Sequence, residues 1–514
     1  QRLLDGRLRA DVEQNIDREV LPSHLSPEST TMDFIHLDWS RFGQFRVRQI
    51  DPYQVGVLYN FKFQYKVSSI ENAPTQKRMR FRKALYDSVP STDEVALIAS
   101  GGGRSIHLFD KKQWPQITAI ERDPGAARYF AKTHPEKNLS VYLTAKFINA
   151  DGRFAMETST QNFDTIILES SLYQPTHTML PMATPFFYLT KEALNSYLQK
   201  LNPGGLIAFE VRTYADRSRD LRDYLPYQIL VHLSRQGLHA RAIRCGKGEA
   251  LYLLASSDPE RLAASVQALE KVAYTEPGLR SKAKRKRNKP VTDNRPFANW
   301  RTLSKQKRNM YLSAAGALAG AGVLIGLMMT WARRKETGWL ATPWFWTLGY
   351  FHAALQFHTF HLWRTYFGDS LKTVWWLIII NFALGGLASA LAGPLQPRMS
   401  SRMVRLLGTA ALFGLHFWAC SVLPFNEPSV VLRVLSGIIA LIPSSILLGI
   451  WMPLGLRSAS TSGLGNWLAA DAIGTLVAAT TIFLVLIPLG GNAYGVTVIV
   501  SGLLIATLWR PTKG

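Results

Sequence analysis

The stretch VALIASGGG at residues 95–103 decides the fold of the first half of the chain. Four apolar residues without alternation, at 95–98, are typical of a strand that is buried on both faces. Gly101, Gly102 and Gly103 follow directly, and glycines at such a turn let the backbone approach a nucleotide at the start of the next helix. The stretch therefore predicts the first strand and the first turn of a nucleotide-binding α/β domain.

Three further apolar runs repeat this pattern, and each of them ends in a carboxylate. The runs are ITAI, DTIIL and LIAF, and they are followed by Glu121, Glu169 and Glu210. Helical stretches separate the runs, which predicts a mostly parallel sheet covered on both faces. Later runs at 240–244 and 250–255 predict an antiparallel pair that closes the sheet.

Charge divides the 514 residues into two parts. The chain carries 59 Lys and Arg against 36 Asp and Glu, a net charge of +23, but the 205 residues from Met310 onwards hold only 12 basic and 4 acidic residues. Seven hydrophobic stretches in this second part are long enough to cross a hydrocarbon core of about 30 Å. These predicted spans are 311–331, 339–363, 373–393, 403–424, 429–456, 466–488 and 491–509. The composition excludes a disordered chain, a disulfide-stapled secreted module and a simple soluble enzyme.

The predicted fold is an α/β class I methyltransferase-like (Rossmann-like) domain with an N-terminal β extension, followed by an all-α transmembrane domain of about seven helices. The predicted segments are a tail at 1–30, the β extension with a helix at 31–90, the Rossmann-like domain at 91–275, a basic linker at 276–309 and the transmembrane domain at 310–514.

The linker carries six Lys and Arg residues between 282 and 289. It is either a solvated connector or a patch that lies on anionic membrane lipids, where each basic residue contributes about 1 kcal/mol. No nucleic-acid partner is expected beside membrane spans. The Lys and Arg residues are nearly balanced between the two sides of the membrane. The first span favours a cytoplasmic soluble domain, whereas the later loops favour the opposite side.

The carboxylates near the glycine turn are suited to an adenosyl ligand. Glu121 ends the second strand, 18 residues beyond Gly103, where an acidic side chain accepts hydrogen bonds from ribose hydroxyls. Asp151, which precedes Gly152, is placed to accept the exocyclic amine of adenine. The alternative is a doubly wound fold that keeps these residues and binds nothing.

Five segments together resemble the spermidine synthase (aminopropyltransferase) family in order and spacing. They are residues 99–103, 119–124, 149–153, 163–171 and 201–205. The stretches TDNRPF at 292–297, GIWMPLGLR at 449–457 and NWLAADAIG at 466–474 resemble bacterial multi-span membrane proteins with a spermidine-synthase-like domain. This resemblance implies an integral protein of the bacterial inner membrane.

The resemblance also implies a chemistry, in which decarboxylated S-adenosylmethionine donates an aminopropyl group to a diamine. Glu169 occupies the position of the family's proton-accepting Asp, and a carboxylate suits that role. Leu172 replaces a second family Asp, and the family's gating stretch is replaced by Arg82–Asp87. Arg104 stands where the family has an Asp that holds the donor's ammonium group. A guanidinium there would repel that ammonium but could pair with the carboxylate of intact S-adenosylmethionine.

Three hypotheses for function follow from these residues. The first is a membrane-anchored protein with a pocket for decarboxylated S-adenosylmethionine, S-adenosylmethionine or methylthioadenosine, formed by the three glycines, Arg104, Glu121, Asp151 and Gly152. If it is catalytic, Glu169 is the base. The second is a non-catalytic subunit of a larger membrane complex, which Arg104 and Leu172 favour. The third is an S-adenosylmethionine-dependent methyltransferase.

The predicted spans contain several ionisable side chains. His352, His358, His361 and His416 lie within them, and intramembrane ionisable groups are functional candidates. Metal or haem ligation and proton relay remain alternatives, but polar packing between helices is favoured, so no metal site is predicted. Arg433 is expected either to pair with Asp471 or to extend to the membrane interface.

Overall fold

The computed structural model describes the chain in separate stretches, and for the described residues from 34 to 79, as for 371–375 and 451–458, it describes the backbone alone. The described residues are 34–40, 43–51, 54–59, 62–68, 77–100, 105–121, 145–169, 187–211, 224–245, 250–272, 275–277, 292, 305–332, 334, 342–350, 353, 358, 363, 367, 371–395, parts of 407–419, 429–458 and 464–481.

A four-stranded antiparallel sheet lies at the N-terminal end of the described chain, within the stretch whose sequence favours such a sheet. Its strands are β1 Phe34–Ser40, β2 Gly43–Asp51, β3 Gln54–Tyr59 and β4 Lys62–Ser68. Each strand pairs with the next one in the chain, so the sheet is a simple meander.

An eight-stranded mixed sheet forms the centre of the next domain. Its strands are β5 Val95–Ile98, β6 Ile117–Ile120, β7 Lys146–Ile148, β8 Phe163–Leu168, β9 Leu201–Val211, β10 His239–Cys245, β11 Ala250–Ser256 and β12 Thr275–Pro277. Strands β5 to β9 are parallel, in the order β7-β6-β5-β8-β9. The predicted antiparallel pair is confirmed, because β11 lies antiparallel between β9 and β10.

This strand order establishes the fold. If β5 is counted as the first strand, seven strands follow the order 3-2-1-4-5-7-6, with the seventh antiparallel, and β12 adds an edge strand beside β10. That is the arrangement of class I methyltransferase-like, or Rossmann-like, domains. The chain turns back between the β5–β7 half and the β8–β9 half, so the carboxyl ends of β5 and β8 form the switch point where such folds bind ligands.

Helices cover both faces of the sheet, as the uninterrupted apolar strands predicted. The helices are α1 Lys77–Asp87, α2 Gly152–Thr158, α3 Lys191–Gln199, α4 Tyr224–Arg235 and α5 Pro259–Val272. Ala96 and Ile98 of β5 pack with α2, α3 and α4 on one face, whereas Val95 and Leu97 pack with α1 and α5 on the other. Side chains alternate between faces along a strand, so a strand covered on both sides must be apolar throughout.

Long apolar helices occupy the C-terminal part of the described chain. They are α6 Lys305–Ala332, α7 Leu371–Leu395, α8 Val430–Ser458 and α9 Leu464–Ala478, and residues 342–350 form a further helical segment. Within the described residues, Leu312–Ala332 is long and apolar enough to cross a membrane, with a mean hydropathy of 1.9, and the apolar parts of α7 and α8 are shorter. The seven-span domain stays a prediction, and its last span, 491–509, lies outside the described residues.

Some helices in this region approach each other closely at glycines. A Cβ on Gly449 of α8 would lie 2.3 Å from the Gly385 carbonyl oxygen of α7, and a Cβ on Gly474 of α9 would lie 2.0 Å from the Trp346 carbonyl oxygen. Glycine therefore brings the backbones together at these crossings, as it does between membrane helices.

Candidate functional site

The carboxyl edge of the sheet begins with a strained turn after β5. Ala99 has a φ of 62°, in the left-handed region that non-glycine residues rarely adopt. The backbone N–H groups of Ala99 and Ser100 both donate to the Ile120 carbonyl, at 2.9 and 3.4 Å. The chain is thus turned sharply toward β6 just before the three glycines, and strain of this kind is found at ligand-binding turns.

Ser100 places a hydroxyl at this turn. It is 4% exposed, and among the described residues its Oγ has no hydrogen-bond partner. A buried hydroxyl without a partner costs free energy, so the position is suited to a ligand that supplies one. Gly101, Gly102, Gly103 and Arg104, which were predicted to hold the same ligand, lie outside the described residues.

Glu121 follows β6, as predicted, and Asp151 follows the neighbouring strand β7. The Glu121 backbone N–H donates to the Ile148 carbonyl at 3.1 Å, and the Asn149 side-chain amide donates to the Glu121 carbonyl at 3.0 Å. These bonds tie the ends of β6 and β7 together. Asp151 Oδ1 accepts hydrogen bonds from the backbone N–H groups of Arg153 and Phe154, at 3.1 and 3.3 Å, so Asp151 is the N-cap of α2.

Gly152 is required at its position by packing. A Cβ on this residue would lie 2.4 Å from Ile98 Cγ2, so α2 begins directly against the end of β5. The Asp-Gly pair therefore has a structural role, because Asp151 caps the helix and Gly152 allows it to approach the sheet.

Glu169, the predicted base, ends β8 but lies in a buried polar cluster. Its backbone N–H donates to the Ile98 carbonyl at 3.0 Å, and its side chain is 4% exposed. The Tyr86 hydroxyl donates a hydrogen bond to Glu169 Oε1, and Arg82 Nη1 lies 3.6 Å from the same oxygen. Burial raises the pKa of Glu169; the charge of Arg82 opposes this shift, and the charge of Glu210 adds to it.

Arg82 joins a second carboxylate to this cluster. Its Nε donates to Glu210 Oε2 at 2.5 Å, and its Nη1 donates to Ser105 Oγ at 2.8 Å. Burial also raises the pKa of Tyr86, as does the neighbouring charge of Glu169, so its hydroxyl stays protonated. One guanidinium and one phenol thus hold the carboxylates at the ends of β8 and β9.

Sequence reasoning missed this cluster. Glu210 had a visible signal, since it ends a buried strand just as Glu121 and Glu169 do. Arg82 and Tyr86 had none, because i and i+4 positions show which residues share a helix face but not where that face packs.

The histidines of the helical region are described in part. The rings of His358 and His416 are 5.7 Å apart and nearly perpendicular, and His416 Nδ1 lies 2.8 Å from the Ala440 carbonyl oxygen. Both are buried, which fits polar packing between helices. His352 and His361 lie outside the described residues, and no group of three potential metal ligands occurs among the residues that the structure describes.

Comparison with known proteins gives structural neighbours only. No family model and no curated protein matches the sequence. A probable spermidine synthase from Corynebacterium glutamicum is 15% identical, with a TM-score of 0.33, over 49% of this chain and 92% of that chain. A spermidine synthase in complex with the transition-state analogue AdoDATO is 14% identical, with a TM-score of 0.33, over 58% of this chain and 99% of that chain. The glycopeptide N-methyltransferase MtfA complexed with S-adenosylhomocysteine is 15% identical, with a TM-score of 0.26, over 35% of this chain and 88% of that chain.

Proposed function

We propose that this chain is a membrane-anchored, spermidine-synthase-like protein whose Rossmann-like domain binds an adenosyl ligand. One observation carries the proposal: Ser100, Glu121 and Asp151 follow three adjacent parallel strands, β5, β6 and β7, at the carboxyl edge of the sheet, and β5 borders the switch point. In this arrangement the turn after β5 receives the polar tail of the ligand, Glu121 receives the ribose hydroxyls and Asp151 receives the adenine.

The same proposal assigns Glu169 a structural role. A general base must reach the proton that it abstracts, whereas Glu169 is buried and already accepts a hydrogen bond from Tyr86 beside Arg82. The protein is then a binding protein, and a subunit of a larger membrane complex is the role that fits such a domain.

The second candidate function is alkyl transfer from the bound ligand, with Glu169 as the base. The raised pKa of Glu169 favours it, because a carboxylate works best as a base when its pKa lies near the working pH. Aminopropyl transfer would use decarboxylated S-adenosylmethionine, and methyl transfer would use intact S-adenosylmethionine.

Calorimetric titration of the full chain in detergent tests binding. The ligands are 5′-methylthioadenosine, S-adenosylmethionine and decarboxylated S-adenosylmethionine. We expect micromolar affinity for at least one of them, weakened at least tenfold by Glu121→Gln and by Asp151→Asn. Asn is as good an N-cap as Asp, so Asp151→Asn leaves α2 capped. Asp110→Asn is the matched control, since Asp110 is an exposed cap that accepts from the Lys112 backbone.

The outcomes separate the candidates. A folded chain that binds none of the three ligands overturns the proposal. If the chain binds a ligand but mass spectrometry detects no transferred product when a diamine is present, the result supports the binding protein. A product that disappears in Glu169→Gln, while binding persists, establishes the second candidate instead.

Membrane anchoring rests on the exposed surface of the helical region. Among the described residues, the exposed large hydrophobic side chains lie after residue 317, and Val272 is the one exception. They include Phe382, at 75%, and Trp331, at 64%. An apolar surface of this extent is normally buried against a partner or a membrane. Long apolar helices are suited to contact with lipid. The chain should therefore stay in the membrane fraction after carbonate extraction, and its release would contradict anchoring.

The basic linker and the side of the membrane belong to the same proposal. Residues 282–289, which lie outside the described residues, would rest on anionic lipid at the cytoplasmic face of a bacterial inner membrane. Replacing the six basic residues with Gln should weaken binding of the full chain to vesicles that contain anionic lipid, but not to zwitterionic vesicles. Equal binding to both kinds of vesicle would remove the linker from the proposal.

A further inference from the structure

A buried ion pair joins the helical region to the Rossmann-like domain. Arg433 lies in the first turn of α8, and its side chain is fully buried. Its Nη1 donates a hydrogen bond of 2.8 Å to Glu157 Oε2, although 276 residues separate the two. Glu157 belongs to α2 of the Rossmann-like domain, so this bond crosses between the two parts of the chain. Arg433 was expected either to pair with Asp471 or to extend to the membrane interface, and neither expectation named Glu157 as its partner.

The carboxylate of Glu157 is held from both sides. Its Oε1 accepts hydrogen bonds from Arg153 Nε at 2.7 Å and from Ser196 Oγ at 3.0 Å, while Oε2 accepts from Arg433. The Arg433 guanidinium also lies 5.6 Å from the centre of the Phe154 ring, within the range of a cation–π contact. Arg433 of α8 therefore contacts α2 through Glu157 and Phe154, and Ser196 of α3 helps to hold the Glu157 carboxylate.

The burial of the Arg433 charge makes this contact specific. A charge removed from water is tolerated only with a close partner and good hydrogen bonds, and a charged residue at the start of an apolar helix otherwise extends to the interface. Arg433 is removed from water by the domain that supplies its partner. A domain tethered only through a linker would leave this arginine in contact with solvent.

We infer that the Rossmann-like domain docks directly on the first turn of α8 through the Arg153–Glu157–Arg433 cluster, and that this docking holds the domain and the N-terminal end of α8 on the same face of the membrane. The predicted order of spans agrees with it. The linker leads from the domain into α6, and four predicted spans, 311–331, 339–363, 373–393 and 403–424, precede α8. An even number of crossings returns the chain to the face from which it started.

The docking also connects the candidate ligand site to the helical region. Glu157 lies in the last turn of α2, and Asp151 caps the first turn of the same helix. A seven-residue helix is about 10 Å long, so the carboxylate that binds Arg433 and the predicted adenine-binding carboxylate are the two ends of one short rigid element.

Hydrogen exchange of the full chain in detergent tests the docking contact. Arg433→Met keeps the length and apolar stem of the side chain but removes its charge. We expect exchange in α2 to become at least tenfold faster, with α4 unchanged. Arg334→Met is the matched control, because Arg334 is an exposed arginine whose guanidinium lies 4.5 Å from the Trp331 ring centre at the end of α6. Arg433→Lys, which keeps the charge, should restore most of the protection.

The results of this experiment are decisive in both directions. Unchanged exchange in α2 of a folded Arg433→Met chain would overturn the docking contact. Faster exchange throughout the Rossmann-like domain, including α4, would also overturn it, since that pattern indicates general destabilisation. Neither result depends on whether an adenosyl ligand binds, so failure of the proposed ligand site is distinguishable from failure of the docking.

Cysteine labelling tests the shared membrane face, which rests on the proposed anchoring. In a chain with Cys245→Ala and Cys420→Ala, single cysteines replace Lys191 on the domain, Ser429 before α8 and Gly465 in α9. All three positions are exposed, and a Cβ on Gly465 meets no atom within 4 Å. A membrane-impermeant maleimide should label positions 191 and 429 in vesicles of one orientation and position 465 in vesicles of the other. Labelling of 191 and 429 from opposite sides would contradict the inference.

Discussion

Arg82 Nε donates a hydrogen bond of 2.5 Å to Glu210 Oε2, although 128 residues separate them. Both side chains are buried, and the same guanidinium lies 3.6 Å from Glu169. One cation from α1 therefore compensates two carboxylates at the ends of β8 and β9. Because this edge of the sheet is also the candidate site, the contact decides both the stability of the domain and the availability of Glu169.

Replacing Arg82 with Met should destabilise the domain strongly. Two carboxylates would then be buried without their cation, and removing one partner of a buried ion pair costs about 3–5 kcal/mol. Thermal unfolding of the full chain in detergent should show a fall in Tm of about 6 °C or more. Lys83→Met is the control on the same helix. Lys83 pairs with Asp87 at the surface, where ion pairs contribute little, so equal Tm values for the two variants would contradict this prediction.

Glu169 should make stability depend on pH in a defined direction. Burial raises its pKa in the folded protein above the ordinary value, so the folded state holds a proton that the unfolded state releases first. The favourable contribution of Glu169 is therefore complete below the unfolded pKa and is lost as the pH rises through the raised pKa.

The test compares Glu169→Gln with the unmodified chain between pH 4.5 and 8. Gln does not ionise, and its oxygen still accepts the hydrogen bond from Tyr86. The Tm of the variant should rise relative to the parent as the pH increases. Glu260→Gln, at an exposed position in the first turn of α5, should show no such trend. A Tm difference that shrinks with rising pH would mean that Arg82 outweighs burial at Glu169.

The sequence predicted the sheet well because its signal is local. Four-residue apolar runs identify strands buried on both faces, and the carboxylates that end them mark one edge of a parallel sheet. Glu121, Glu169 and Glu210 were placed at that edge for this reason. The partners of Glu169 and Glu157 were not predicted, since Arg82 and Arg433 reach them across 87 and 276 residues, and such contacts depend on how whole helices dock.

Replacing Ala99 with glycine should raise the free energy of unfolding of the protein. Its φ of 62° destabilises the folded state by about 1–2 kcal/mol when the residue carries a side chain. Glycine removes this strain, but its greater freedom in the unfolded state lowers the unfolding free energy by about 0.4–1 kcal/mol. The net gain in unfolding free energy is therefore up to about 1.6 kcal/mol, seen as a higher Tm. Ala96→Gly in β5 is the control, because Ala96 is fully buried in regular strand structure. That variant should lower the Tm, and a lower Tm in Ala99→Gly as well would show that the turn is not strained.

Gly449→Ala should separate α7 from α8. The new Cβ would lie 2.3 Å from the Gly385 carbonyl oxygen and 2.7 Å from Ala388 Cβ, and it would disturb the 2.8 Å hydrogen bond from Ser389 Oγ to the Gly449 carbonyl. Overpacking of this kind costs about 1–3 kcal/mol, which corresponds to local exchange in α7 that is roughly 5- to 150-fold faster. Gly386→Ala places its Cβ where no atom lies within 4 Å, so exchange in α7 should be unchanged or slower. If both variants behave alike, backbone contact at Gly449 does not hold these helices together.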